Sequence, residues 1–260
     1  MAPSRVTRAI IQLGLGTAIL SGVMLVLLAP SPALAQDDAS TVVFGIYYRC
    51  NQGQEARADE IFAASAAPVI QRYIDSGDLT GSLWLTHVQG GAWRRLWAMI
   101  GEDFGTMMDV RAAITGEIDA DATAELTSIC SSHDDYVWNA VANSPIDPDQ
   151  IAGPNSYSVY HTCDLSREAR ADEIFTEILA PLYRKHTDAG DLAGWAYYAH
   201  RVGGRFRRLE TMSGADHKTL LDIRGAIYTE ASETNAEAMQ ELRQICGSHV
   251  DYMWEDSGGQ

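Results

Sequence analysis

Glu55-Ala-Arg-Ala-Asp-Glu-Ile-Phe62 is written twice in this chain, returning letter for letter as Glu168-Ala-Arg-Ala-Asp-Glu-Ile-Phe175. With the two copies superposed, Asp75 falls on Asp188, His87 on His200 and Asp109 on Asp222. Arg94-Arg95-Leu96 falls on Arg207-Arg208-Leu209. Nearly half of the positions from Cys50 to Glu117 match those from Cys163 to Glu230. A match this extended marks an internal duplication, so the 260 residues divide into two similar units rather than one large domain.

Working outward from the octapeptide, each unit has the same order of signals. A β-branched and aromatic run, Thr41–Tyr48 and Tyr157–Cys163, predicts a strand. The octapeptide opens a helix that ends near Asp75 in the first unit and Ala189 in the second. Pro68 and Pro181 sit inside that helix, where a missing N–H and a ring clash predict a kink. Two strands follow, Gly81–Gln89 with Ala92–Ile100 and Leu192–Val202 with Arg205–Met212. They are joined by Gly90-Gly91 and Gly203-Gly204, a pair that suits the positive φ of a tight hairpin turn. Helices are expected at Phe104–Glu117 and Asp121–Trp138, and again at His217–Glu230 and Asn235–Trp254. Leu126, Ile129, Cys130, His133 and Val137 support the longer helix by their spacing. Residues 142–156 hold three prolines and no periodicity, and we read them as a linker between units spanning 36–141 and 157–260.

Strand, helix, strand, strand, helix is the opening of a ferredoxin-like unit, whose sheet needs a cover on the face its helices leave bare. The proline-kinked helix, the stretch Asp188-Ala-Gly-Asp-Leu-Ala-Gly-Trp-Ala-Tyr-Tyr198 and the hairpin after it resemble the dimeric α/β-barrel superfamily, including its antibiotic-biosynthesis-monooxygenase-like and NIPSNAP-like groups. The resemblance covers about two-thirds of each unit. It implies an α+β fold: two tandem β-α-β-β-α units forming an intramolecular pseudo-dimeric barrel, each with an extra C-terminal helix where the family has a fourth strand. The superfamily hosts cofactor-free oxygenases, haem-degrading enzymes, isomerases and proteins of other roles, so the fold leaves function open.

Composition narrows the partners. A net charge of −16 with few basic clusters argues against nucleic acid and against an anionic membrane surface. Arg5 and Arg8, the apolar run Ala9–Ala29 and Ala33-Leu34-Ala35 have the form of a secretory signal peptide cleaved after Ala35, with an uncleaved anchor as the alternative. Export to the periplasm or beyond makes the four cysteines a disulfide framework. We expect Cys50–Cys130 and Cys163–Cys246, one staple per unit; the other two connectivities respect the same internal symmetry. Cys130-x-x-His133 and Cys246-x-x-His249 would make a Cys₂His₂ zinc set on paper, but exported thiols favour disulfides, and no metal is assigned.

For a binding site, hairpin pairing offers the sharpest reading. Pairing Thr86 with Arg95 and Trp84 with Trp97 separates Leu83, Leu85, His87, Arg94 and Leu96 from Trp84, Thr86, Trp93, Arg95 and Trp97. We assign the first set to the helices and the second to the barrel interior, with Trp195, Tyr197, Phe206, Arg208 and Glu210 joining it from the second unit. Trp84, Trp93, Arg95, Trp97, Tyr197, Phe206, Arg208 and Glu210 are thus the candidate ligand-binding residues. They suit a small aromatic or anionic molecule held between the two sheets, against the plainer reading of an aromatic core with snorkelling arginines. His87 and His200 rank second; each faces an arginine, which would hold the imidazole neutral. The charges of Glu55–Glu60 read as a solvated helix face with Arg57 paired to Glu60. No hydrolase, phosphate-loop, zinc-protease or dinucleotide motif is present, so neither catalytic residues nor a cofactor are assigned. The expectation is an exported small-molecule-binding protein, monomeric with an internal twofold. The alternatives are a cofactor-free or haem-using enzyme of the superfamily and a non-enzymatic envelope interaction protein.

Overall fold

A computed structural model describes residues 41–144 and 154–257. In the first half, β1 (Val42–Arg49) leads to α1 (Glu55–Ile61), a π-helical turn (Phe62–Ala66) and α2 (Ala67–Asp75). Then come β2 (Gly81–Gly90), β3 (Arg95–Gly101), α3 (Phe104–Glu117), α4 (Ala120–Ile129) and β4 (Ser132–Asn143). The second half repeats the order as β5 (Asn155–Thr162), α5 (Glu168–Ile174), a π-helical turn (Phe175–Leu179) and α6 (Ala180–Asp188). It continues with β6 (Gly194–Val202), β7 (Arg208–Gly214), α7 (His217–Thr234), α8 (Ala236–Ile245) and β8 (Ser248–Asp256). Pro68 lies in the first turn of α2, just after the π-helical turn, where its missing N–H costs least.

All eight strands close one antiparallel barrel in the order β1-β3-β2-β8-β5-β7-β6-β4. Each half contributes four neighbouring strands, and the joints are β2 against β8 and β4 against β6. Closure consumes the strand edges that either half would otherwise expose. Among the described residues, no helix is long and apolar enough to cross a membrane.

Two expectations are corrected here. The expected helices Asp121–Trp138 and Asn235–Trp254 stop at Ile129 and Ile245, and the fourth family strand follows in each half. The helical spacing of Cys130, His133 and Val137 misled because His133, Asp135 and Val137 also share one face of a strand. Tyr136 and Trp138 alternate onto the other face, into the barrel, while Val137 packs under the helices.

The second correction concerns the hairpin. Its register is as expected, Thr86 opposite Arg95 and Trp84 opposite Trp97, but the faces are reversed. Leu83, Leu85 and Leu96 look into the barrel, whereas Trp84 and Trp97 pack under the helices against Phe62, Met107 and Ile114. Both faces of this sheet are buried, so no polar alternation marks the inside, and side-chain size alone is a poor guide.

Tyr47, Trp93, Tyr136, Trp138, Tyr160, Phe206, Tyr252 and Trp254 fill the barrel, with contributions from both halves. Trp138 donates to the Tyr47 hydroxyl at 3.1 Å, and Tyr47 meets Tyr160 edge-on at 5.6 Å. The glycine pairs serve this packing. A Cβ on Gly91 would lie 2.3 Å from the Tyr252 hydroxyl, and one on Gly204 2.5 Å from that of Tyr136. The loop of each half is therefore cut away to seat a tyrosine of the other. Gly90 and Gly203 also hold φ of 127° and 137°, which L side chains avoid.

The disulfides are Cys50–Cys130 and Cys163–Cys246, as expected, tying the end of the first strand of each half to the close of α4 or α8. With all four sulfurs so engaged, the Cys₂His₂ set does not form.

Candidate functional site

The octapeptide explains the arginines. Asp59, one turn into α1, accepts from Arg95 Nε at 2.6 Å and Nη2 at 2.7 Å, a bidentate pair, and from Trp84 Nε1 at 2.8 Å. Glu55 accepts from Arg94 Nε at 2.9 Å. In the second half Asp172 holds Arg208 at 2.5 and 2.8 Å, and Glu168 accepts from Arg207. Arg95 and Arg208 are buried. Of the repeated acids, Glu55 and Asp59 with their copies are thus half of a clamp between helix and hairpin, while Arg57 and Glu60 form the solvated pair the sequence suggested, at 3.0 Å, as Arg170 and Glu173 do in the second half. Breaking such a clamp strands a buried guanidinium.

His87 and His200 belong to the same clamps. Arg94 Nη1 lies 2.7 Å from His87 Nδ1 and Arg207 Nη1 2.7 Å from His200 Nδ1, so each imidazole is a neutral acceptor there. Burial first, and then the adjacent arginine, hold both imidazoles below their ordinary value of 6.5. A base whose value falls on folding binds protons better when unfolded. Its stability is therefore complete above 6.5 and declines as the pH drops below it. We expect the urea midpoint to fall between pH 7.5 and 5.5, and a His87→Gln, His200→Gln variant to flatten that slope. An unchanged slope would assign the dependence elsewhere.

Trp93 and Phe206 lie inside the barrel; Trp84, Arg95, Trp97, Tyr197, Arg208 and Glu210 lie under the helices. The proposed residues are thereby divided, and the interior they were to line is packed with rings. Two cavities at equivalent positions lie on the outside of the sheet, one in each half. In the first half a cavity of about 280 Å³ sits between β1, β3 and the helices. Ile46, Phe62, Trp97 and Leu126 supply its apolar wall, and Tyr48, Arg111 and His133 its polar groups. Its counterpart in the second half, about 290 Å³, is bordered by His161, Phe175, Tyr197, Arg224, Tyr228 and His249.

Beside the second cavity Glu210 is fully buried. It accepts from Arg224 Nε at 2.8 Å and Nη2 at 3.1 Å, from the Tyr228 hydroxyl at 2.8 Å and from the Tyr183 hydroxyl. His161 Nε2 is 3.4 Å away. Burial alone would push this carboxyl up, but Arg224 and His161 reverse that and hold it far below the ordinary carboxylate range. Burial and the Glu210 charge push the Tyr183 and Tyr228 hydroxyls up, keeping them as donors.

At the first cavity Tyr48, Arg111 and His133 are joined by the hydroxyls of Ser65, Thr115, Thr123, Thr127 and Ser131. Tyr48 lines it, its hydroxyl held up by burial and then by Asp135. His133 Nδ1 lies 2.7 Å from Asp135, and Arg111 packs over the Phe44 ring at 4.7 Å. Arg111 Nε is buried without a hydrogen-bond partner. Sequence reasoning missed Arg111 and Arg224, although both stand two residues after the matched Asp109 and Asp222. That shared position was the available signal.

No protein-family model matches the sequence, and no curated protein does. Solved structures do match the fold. A monooxygenase-like protein from Lactobacillus acidophilus NCFM shares 7% identity at a TM-score of 0.53, covering 83% of this chain and 93% of that one. An anthrone oxidase-like protein shares 9% at 0.53, covering 85% and 92%. A monooxygenase-like protein from Fusobacterium nucleatum shares 12% at 0.50, covering 85% and 97%. At these identities the likeness establishes the fold. It is the dimeric α/β barrel, closed here within one chain.

Proposed function

We propose that this is an exported protein that binds a small, largely apolar molecule in the cavity of its first half, between the sheet and α1–α4. The observation that carries this reading is the cavity itself: a wall of Ile46, Phe62, Trp97 and Leu126 with Arg111, Tyr48 and His133 converging on it. An apolar pocket with a few convergent polar groups is the usual form of a ligand site, and about 280 Å³ suits one or two rings. The aromatic filling of the barrel moves the site away from the inter-sheet interior first expected. Cleavage after Ala35 fits the two disulfides, and a barrel closed within one chain fits a monomer.

An enzyme of the cofactor-free or haem-using kind is the alternative raised by the fold resemblance. A tetrapyrrole exceeds the first cavity as folded, so a haem-using activity would require the helices to part. Native mass spectrometry on protein secreted from its full-length sequence and purified without reductant tests the proposal. The expected result is a chain beginning at Gln36, with two disulfides and a retained or exchangeable small molecule that a cavity-filling Ser65→Phe variant loses. A bare chain that no aromatic ligand stabilises against heat would overturn it. A Soret band on adding haemin would favour the enzyme.

A further inference from the structure

The two cavities are built on equivalent positions with different contents, and the difference identifies what the first one lacks. Val159 pairs with Glu210 where Ile46 pairs with Trp97, so Glu210 and Trp97 occupy the same point of the two sheets. Arg224 on α7 corresponds to Arg111 on α3. In the second half the guanidinium closes on Glu210, and Tyr183, Tyr228 and His161 complete the carboxylate's shell. In the first half those three positions are Ile70, Thr115 and Tyr48, and the carboxylate is gone. Only the arginine is kept. Its nearest acid, Asp135, stands 3.7 Å from Nη2, beyond hydrogen-bond reach, and is itself engaged by His133 at 2.7 Å. The Nε donor is buried and unpartnered beside the cavity. A buried donor of this kind normally has a partner.

We infer that the first cavity takes a ligand bearing a carboxylate, which Arg111 binds from the cavity side as Arg224 binds Glu210 in the second half. This rests on the cavity being a ligand site at all. The second half, having its own carboxylate, needs none from outside, so one chain binds one ligand. The ligand class is an aromatic or compact apolar monocarboxylate, its rings on Trp97, Phe62 and Leu126 and its head on the guanidinium.

The test is a set of matched pairs, benzoate, 2-naphthoate and indole-3-acetate each against its primary amide, titrated into the full protein and read by Trp97-region fluorescence and ligand-observed NMR. We expect at least one acid to bind tenfold or more tightly than its amide, at one site per chain, with the preference shrinking to near unity in Arg111→Met. Ser65→Phe should abolish binding. Acids and amides that bind wild-type protein equally, and are both lost in Ser65→Phe, would sink the carboxylate inference and leave the cavity standing. If no member of the set binds, or if binding survives Ser65→Phe, the cavity reading falls and takes this inference with it. The acid-to-amide ratio of the wild type decides the matter even if Arg111→Met fails to fold.

Discussion

Glu210→Ala is expected to lower folding stability by about 3–5 kcal/mol, the range for removing one partner of a buried ion pair. Both carboxylate oxygens are engaged, and Arg224, Tyr183 and Tyr228 would all be left facing a void. Most of the loss is the cost of a guanidinium stranded out of water rather than the worth of the pair. Glu210→Gln, which retains one acceptor, should cost less. Formate should stabilise the alanine variant more than the wild type, since only the variant has lost the carboxylate that Arg224, Tyr183 and Tyr228 face. The pH dependence follows from the sign of the shift. Glu210 titrates far below its ordinary 4.5, so its contribution is whole above that value and is lost as the pH falls below it. Urea midpoints at pH 7 and pH 3.5 check this, and an alanine variant as stable as the wild type would refute the role.

Replacing either disulfide by paired alanines should cost about 4 kcal/mol for a closed loop of this length in the chain-entropy model. The loops span 80 and 83 residues. The site of the staple adds to its effect. Cys130 and Cys246 stand where α4 and α8 hand over to β4 and β8, the strands that join one half to the other. Denaturation with and without reductant measures the loss. We expect the reduced protein to unfold at a markedly lower midpoint, and coincident curves would show that the thiols are not paired.

The strand order up to α3, the hairpin register and the cysteine pairing were legible, because each rests on local pattern. What stayed hidden depended on partners distant in sequence. Which face of β2 and β3 looks inward is marked by Asp59, which draws Arg95 and Trp84 of one face toward the helix. That acid looked solvated while the arginine that claims it lay some 35 residues away. β4 was obscured because His133 and Val137 satisfy two periods at once, although Ser131-Ser132 and Gly247-Ser248 already interrupt the helices. The site was half legible. Glu210 and Trp97 were singled out as differing, but Arg111 and Arg224, which give that difference its meaning, match in both copies and drew no notice.

The crossed seating of Tyr252 on Gly90-Gly91 and of Tyr136 on Gly203-Gly204 has a consequence for how such a chain can change. Each half is the other's mould. A substitution at the seam must be answered across it, which ties the two copies together. The outer layers rest mainly on the helices of their own half. Part of the seam is written the same way twice, in Tyr47 and Tyr160, Tyr136 and Tyr252, Trp138 and Trp254, although Trp93 answers to Phe206; on the outside Trp97 and Glu210, Thr115 and Tyr228, Ile70 and Tyr183 have parted company. A tethered pair of this design shares one interior and carries an outer chamber in each half. One has closed its arginine on a carboxylate of its own, and the other holds its arginine beside a cavity.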